Sequence, residues 1–505
     1  MFYERLSGNS LLCVAKLAGG VSFMLYGYDA GVLGGVQSTK PFLDAIQNPK
    51  GSYIIPMIAS SYSLSATLSS VICMFTGMKM GRRNSILMGN AIVVIGGALQ
   101  ASSFSVAQII VGRLLSGFGM GFISATVPMY ISELSIEASQ RGPAVGWQIV
   151  ILISGIPLAY WIDLGFTQMT NQVSWRFPIA LQSGFAFTSA TLFSVLPDTP
   201  RWYYANSRER EGDLILSKLH EKPIDDARVQ AMRCEILENI KFEREAGHSF
   251  RIMDLIWDKS DLRVGRRLRT GFILYMLDNL MGINMMVYFS TTIFANIGLS
   301  SFLSHVLAAV MNTLFAIGCV AMPLTVERFG RRNLMLWGGM GCTICMLLFV
   351  LLICLPEHLI NNKTRWSAVA MVVCFNFFFG WGWVGVPWLY PSEISPLQQR
   401  HIGGAMAALG EWLFAFVTIF AGGIALDRVG PMIWIWNLLS CALAVVYVYF
   451  CCPETTGLSL EEVDILYAKS EVKERLLTMR ENGNNSSVEE KSSVLQHIKA
   501  TGAAA

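Results

Sequence analysis

"MGRRN" at residues 80–84 returns as "FGRRN" at 329–333, and "YISELS" at 130–135 returns as "YPSEIS" at 390–395. Between the two copies of each pattern lie six mostly apolar runs, each long enough for a bilayer-spanning helix of ~20 residues. An even number of crossings returns the chain to the face it left. Both copies of each pattern therefore fall on one side of a membrane, as two parallel six-span halves require. Extending the count outward gives twelve candidate spans: 11–36, 53–75, 84–104, 106–128, 142–164, 177–197, 270–296, 302–325, 333–355, 367–390, 403–425 and 431–452. The expected fold class is an all-α membrane protein with twelve transmembrane helices in two six-helix halves.

Composition agrees. The chain has 505 residues, 53% of them hydrophobic and only 14% charged, where a soluble protein carries about 25% charged residues. The net charge of +3 gives no sign of a nucleic-acid partner. Cys73, Cys319, Cys354 and Cys441 lie in apolar runs, where cysteine behaves as a small hydrophobe. Cys342 and Cys345 form a CxxC with no second Cys or His pair nearby, so no metal and no cofactor is expected. The opening "MFYERLSGNS" has no cleavable signal pattern, and the run from Leu11 is too long for a signal core; it reads as a retained first span.

The stretch from "PDTPRWYYANSRERE" to "RVGRRLRT" is charged, helix-prone and unfit for lipid. It divides the chain into an N-terminal bundle over 1–197, a helical linker over 198–269, a C-terminal bundle over 270–452 and a tail over 453–505. The tail begins with a helical pattern near "LSLEEVDILYAK" and decays into "ENGNNSSVEEKSS", which reads as disordered. The two GRR loops, the loops with Arg141 and Arg400 and the basic linker share one side, which the positive-inside rule makes cytoplasmic. Both termini are then cytoplasmic, the protein is a multi-pass protein of the cell membrane, and Asn362-Lys363-Thr364 is a glycan acceptor outside.

Four charged residues within the apolar runs stand out: Asp29, Arg113, Asp278 and Glu411. A charge at membrane depth costs several kcal/mol and usually faces a cavity or a partner. Any one of them has a bland reading as half of a structural ion pair. Asp29 and Arg113 lie in glycine-flanked segments, "GYDAG" and "VGRLLSGFGMG", where small residues let helices approach closely. A carboxylate beside a guanidinium stays ionised; one left alone in an apolar bundle takes up a proton. Protonation that depends on conformation is the elementary part of a proton-coupled carrier. One proton moving through 100 mV supplies about 2.3 kcal/mol, equal to a substrate gradient of roughly 50-fold.

The motifs "GYDAGVLGG", "KMGRRN", "GRLLSGFGMGF", "VPMYISELS", "QRGPAVGWQ", "LPDTPRW", "GINMMVYFS", "VERFGRR", "WLYPSEISP" and "PETTGLSLEEVD" occur in this order over about residues 15–466. With them the chain resembles the sugar porter family of the major facilitator superfamily, its fungal members in particular. "AYWIDLGF" and "SWRFP" are similar to fungal polyol and sugar porters of the glycerol–proton symport type. The resemblance implies the major facilitator fold with a central sugar site and a small cytoplasmic helical domain, and a transporter rather than an enzyme. It implies cytoplasmic ion pairs that hold the outward-facing state closed inside, with Arg82, Arg83, Glu133, Arg141, Glu327, Arg331, Arg332, Glu393 and Arg400 as participants; topology-setting charge is their bland reading. It makes Asp29 the proton acceptor and Arg113 its partner, since facilitators of the family often carry Asn at that position.

The implied substrate site is less regular. Where the family's seventh span reads Q-Q-x-x-G-I-N, this chain has Asp278-Asn279-Leu280-Met281-Gly282-Ile283-Asn284. Asn284, Tyr288, Asn312 and Trp388 match the family. Glu411 and Ala415 replace the asparagines of N-W-x-x-N around Trp412, and Gln148 stands one residue before the expected position, which Ile149 occupies. Met78 stands where the first GRR motif usually has Asp. Hydroxyl ligands need matched donors and acceptors, which amides supply. Asp278 and Glu411 change that match. An anionic substrate becomes unfavourable, a cationic one conceivable, and the two are alternatively a further proton site or a mutual structural pair. The reading is a secondary active transporter of a sugar or polyol with proton symport. Its rivals are an uncoupled uniporter, a carrier of a specialised metabolite, and a sensor, which the short tail disfavours. The expected partners are the small-molecule substrate, protons and the lipid bilayer, with the chain read as a monomer.

Overall fold

A computed structural model of the chain describes residues 7–134, 138–246, 258, 263–395, 400–456, 463 and 466–469. Its first half contains α1 (Gly8–Val36), the short α2 (Lys40–Ala45), α3 (Ile54–Met80), α4 (Arg82–Ala101), α5 (Val106–Leu134), α6 (Ala138–Phe166) and α7 (Val173–Ser194). Between the halves run α8 (Pro200–Ala205), α9 (Glu209–His220) and α10 (Ala227–Ala246). The second half contains α11 (Val264–Leu280), α12 (Ile283–Tyr288), α13 (Ser290–Asn296), α14 (Ser301–Phe329), α15 (Arg331–Ile353), α16 (Asn362–Gly382), α17 (Val386–Ile394), α18 (Arg400–Arg428) and α19 (Ile433–Cys451). The fold is the twelve-helix, two-half arrangement. Most of the tail, including most of its expected helix, lies outside the described residues.

Eleven helical segments are long and apolar enough to cross a membrane among the described residues. The twelfth, α7, has 22 residues, enough to cross, but it is diluted by polar side chains that turn inward. Gln182 and Ser189 are fully buried, and Ser189 Oγ meets Ser22 Oγ of α1 at 2.7 Å and accepts from Asn90 Nδ2 of α4 at 3.0 Å. Polar residues aimed at neighbouring helices do not expose charge to lipid, so composition alone understates the span.

Two expected spans are interrupted. The run 270–296 breaks at Gly282 (φ +98°) and again at Phe289, giving three short helices. Gly282 lies in the left-handed region, and a Cβ there would stand 1.9 Å from Asn437 Nδ2, so only glycine fits. The run 367–390 breaks at Trp383–Gly385 and restarts with Pro387 in the first turn of α17, where a missing N–H is tolerated. Irregular backbone at membrane depth is tolerated where protein covers it or a cavity adjoins it.

The halves meet along two seams, α3 against α18 and α6 against α14. α9 touches the start of α1, where Ser7 Oγ donates to Glu221 Oε1 at 3.4 Å. That places the linker on the face of the GRR loops.

Candidate functional site

Two matching nodes occupy that face. In each, a glycine with positive φ (Gly81, +90°; Gly330, +87°) precedes a helix whose first N–H groups have no intrahelical partner. A carboxylate from a later segment caps them. Asp198 accepts from Arg82 N and Arg83 N, both at 3.2 Å; Glu454 accepts from Arg331 N at 2.9 Å and Arg332 N at 3.1 Å. Arg82 pairs with Glu133 at 2.9 Å, and Arg331 with Glu393 at 3.1 Å and Glu327 at 2.8 Å. Thr199 Oγ1 donates to Glu133 at 2.6 Å, as Thr455 Oγ1 does to Glu393 at 2.7 Å. Tyr130 and Tyr390 each donate to a proline carbonyl, of Pro197 and Pro453, at 2.8 Å. Arg83 reaches the carbonyls of Phe193 and Ser194, and Arg332 that of Tyr449. None of these contacts joins one half to the other: the first node lies between the N-terminal bundle and the start of the linker, the second between the C-terminal bundle and the start of the tail. The side chains of Met78, Arg141 and Arg400 lie outside the described residues.

The two caps differ electrostatically. Burial pushes the Asp198 carboxyl above its ordinary range, against hydrogen bonds from Thr199, Arg83 and Arg82. Burial also acts to raise Glu454, but hydrogen bonds from Thr456, Arg331 and Thr455 outweigh it and hold the group below its ordinary value.

Within the first half, Arg113 Nη1 of α5 donates to Asp29 Oδ2 of α1 at 2.9 Å. Asp29 is 1% exposed and Arg113 0%. Arg113 also donates to Ala59 O at 3.2 Å, and its guanidinium lies 4.6 Å from the centre of the Tyr62 ring. The glycines around the pair act indirectly. A Cβ on Gly27 would stand 1.7 Å from Leu152 O of α6, and one on Gly117 2.1 Å from Tyr62 O of α3. Glycine therefore seats α1 on α6 and α5 on α3, and the ion pair closes across what those contacts leave.

The second half supplies a polar cluster. Asn279 Nδ2 donates to Glu411 Oε2 at 2.9 Å, and Asn284 Nδ2 donates to Asn279 Oδ1 at 2.5 Å. Asp278 is 8% exposed, and its Oδ1 has no partner among the described residues. Trp412, next to Glu411, stacks on Tyr26 of α1 (5.1 Å, 29°) and meets Tyr62 edge-on at 5.9 Å. Tyr62 therefore stands between Arg113 and Trp412 and links the ion pair to the other half. Trp388 packs edge-on against Tyr275 and Phe23. Tyr288 is buried, and its carbonyl accepts from Gln37. Gln148 and Asn312 are buried, each with an amide oxygen lacking a partner.

Sequence reasoning passed over Tyr26, Tyr62 and Asp163. Asp163 of α6 is fully buried and beside Gly35, with neither carboxyl oxygen hydrogen-bonded among the described residues. Its position at the end of an apolar run reads as a membrane-edge charge. The tyrosines read as ordinary span residues.

At the end away from the GRR loops, polar contacts join the halves. Tyr160 donates to Val287 O and accepts from Ser290 Oγ at 2.7 Å; Thr291 Oγ1 donates to Gly34 O at 3.1 Å; Ser38 Oγ lies 3.4 Å from Thr291 Oγ1.

Two six-helix halves around a buried ion pair and a polar, aromatic centre define a membrane transporter of the major facilitator type, which is not an enzyme. The chain belongs to the sugar transporter family: the family model described as "Sugar (and other) transporter" matches residues 14–467. It is 34% identical to the MFS-type transporter oryC of Aspergillus oryzae, over 92% of this chain and 87% of that protein. It is 28% identical to the sugar transporter STL1 of Saccharomyces cerevisiae, over 92% of this chain and 83% of that one. Among solved structures, the xylose transporter XylE from E. coli in a partially occluded inward open conformation is similar, with a TM-score of 0.74 at 19% identity over 89% of this chain and 100% of that one.

Proposed function

We propose that this transporter carries a sugar or polyol by alternating access and couples it to proton symport through Asp29 and Arg113. The observation that carries the reading is the Asp29–Arg113 pair, 2.9 Å apart and sealed from solvent. A buried pair is stable only while both members are present and matched. Moving α1 or α5 strands the carboxylate, and a proton is the smallest cation that can relieve it. The names of STL1 as a sugar transporter and of a solved neighbour as a proton:xylose symporter support the substrate class and the coupling.

In this reading Asn279, Asn284, Tyr288, Asn312, Trp388 and Trp412, with Gln148, Asp278 and Glu411, contact substrate. The bundles over 1–197 and 270–452 rock as units, with the linker over 198–269 between them and the tail over 453–505 beside it. The GRR face with both termini is cytoplasmic, and the two arginine–glutamate nodes stiffen each half there, with Arg141 and Arg400 adding to the gate. The joined far ends then make this an inward-facing state of a cell-membrane protein that works as a monomer.

The test is uptake of radiolabelled hexoses, pentoses and polyols in a transport-null host at two external pH values, with and without an uncoupler. Uptake that rises at acid pH and collapses with uncoupler is expected. Uptake indifferent to both removes symport, and no uptake of any of them removes neutral sugars and polyols as substrates.

A further inference from the structure

Asp29 has its own cation; among the described residues, Asp278 and Glu411 have none. Both carboxylates are gathered at Asn279, which follows Asp278 in the chain and donates to Glu411 at 2.9 Å. Two carboxylates that share a buried site cannot both stay charged unless a cation stands between them. The family's amides would need none. Their neighbours match a positively charged guest. Asn279 ties down one oxygen of Glu411 and so orients the group. The unpartnered Asp278 Oδ1 is an acceptor with more than nine-tenths of its residue buried. Tyr275 accepts at its carbonyl from Asn279, and Trp412, next to Glu411, stacks on Tyr26. Aromatic faces around acidic oxygens are the surroundings that ammonium groups prefer. Asn284, bonded to Asn279, retains the amide chemistry that suits hydroxyls.

We propose that Asp278 and Glu411 form a cation subsite within the central site, and that the preferred substrate is a polyhydroxylated compound bearing a basic amine. The proposal rests on the transporter reading of the same site and narrows its substrate class. The ammonium donates to Asp278 Oδ1 and to Glu411, the hydroxyls meet Asn279 and Asn284, and the rings cover the carbon skeleton. A carboxylate on the substrate is excluded by the same two groups.

Two probes that differ in one group decide it: 1-amino-1-deoxy-D-glucitol, a cation at neutral pH, and D-glucitol, which carries a hydroxyl in place of the amine. Binding to the full chain in lipid nanodiscs is read by tryptophan fluorescence, to which Trp412 contributes, and by competition. The amine is expected to bind at least about tenfold more tightly. Asp278→Asn and Glu411→Gln, which restore amide chemistry, should each bring the ratio toward one while the variants elute from a sizing column as the parent does. Equal binding of the two probes by the parent, or a preference that survives both substitutions, overturns the subsite. Equal binding together with uptake of neutral sugars removes this inference and leaves the carrier reading standing. Binding of neither probe removes it too, and joined with an empty uptake panel removes the sugar and polyol reading as well.

Discussion

At the scale of single residues, a charge in an apolar run is legible because it is costly, and Asp29, Arg113, Asp278 and Glu411 stand out for that reason. What the sequence does not display is who stands beside them. Tyr62 touches the Arg113 guanidinium and Trp412 at once, yet in a chain with 11% aromatic residues nothing separates it from a lipid-facing ring. Asp163 was hidden for the opposite reason, since a carboxylate near a span end is ordinarily solvated. The pair itself makes a stability prediction. Arg113→Met strands Asp29, and breaking a buried pair from one side costs up to about 3–5 kcal/mol, less when the stranded carboxyl takes a proton. Thermal unfolding in detergent should show a clear loss for Arg113→Met and recovery of more than half of it on adding Asp29→Asn. Equal stability of Arg113→Met and the parent would mean that the two side chains do not depend on each other.

At the scale of elements, most span positions follow from hydropathy, and the misses have local causes. Gly282 with φ +98° and Pro387 break apolar runs that composition reads as continuous, and α7 turns its polar residues inward. The glycines of α5 were visible; the helix each one faces was not, because spacing sets closeness and not direction. Gly117→Val places a Cβ that would stand 2.1 Å from Tyr62 O. It should push α5 from α3, pull Arg113 from Ala59 O, and abolish uptake while leaving a protein that reaches the membrane in reduced amount. Normal uptake by Gly117→Val would show that the α3–α5 seat is dispensable. At the GRR face, Glu454 is held below its ordinary value, so its cap adds stability above the unfolded-state value of about 4.3 and loses it as pH falls through the folded value. Melting temperature should drop on acidification through this range, and Glu454→Gln should start lower at neutral pH and flatten that limb. An unchanged acid limb would place the titrating group elsewhere.

At the scale of the whole molecule, the doubled GRR and YxSE patterns are the sequence trace of two nodes that share their carboxylate caps, arginine–glutamate pairs and tyrosine hydroxyl bonds, from Asp198 and Glu454 to Tyr130 and Tyr390. Which end of the molecule closes is not legible in the same way, because one sequence must serve every state of the cycle. In this state the end away from the GRR loops is joined, with Ser38 Oγ 3.4 Å from Thr291 Oγ1. In a background lacking the exposed Cys13, Cys234, Cys354 and Cys374, Ser38→Cys with Thr291→Cys should cross-link on oxidation, stop uptake, and regain it on reduction. Uptake by the cross-linked protein would rule out separation of the halves at that end. The claim on which the rest depends is that substrate brings a proton with it through Asp29. Proteoliposomes holding a pH-sensitive dye, given the sugar or polyol that the uptake panel ranks first, test it most directly. The parent should acidify the lumen as substrate enters, and Asp29→Asn should exchange substrate with no acidification; substrate entry without proton entry in the parent, or undiminished acidification by Asp29→Asn, contradicts it.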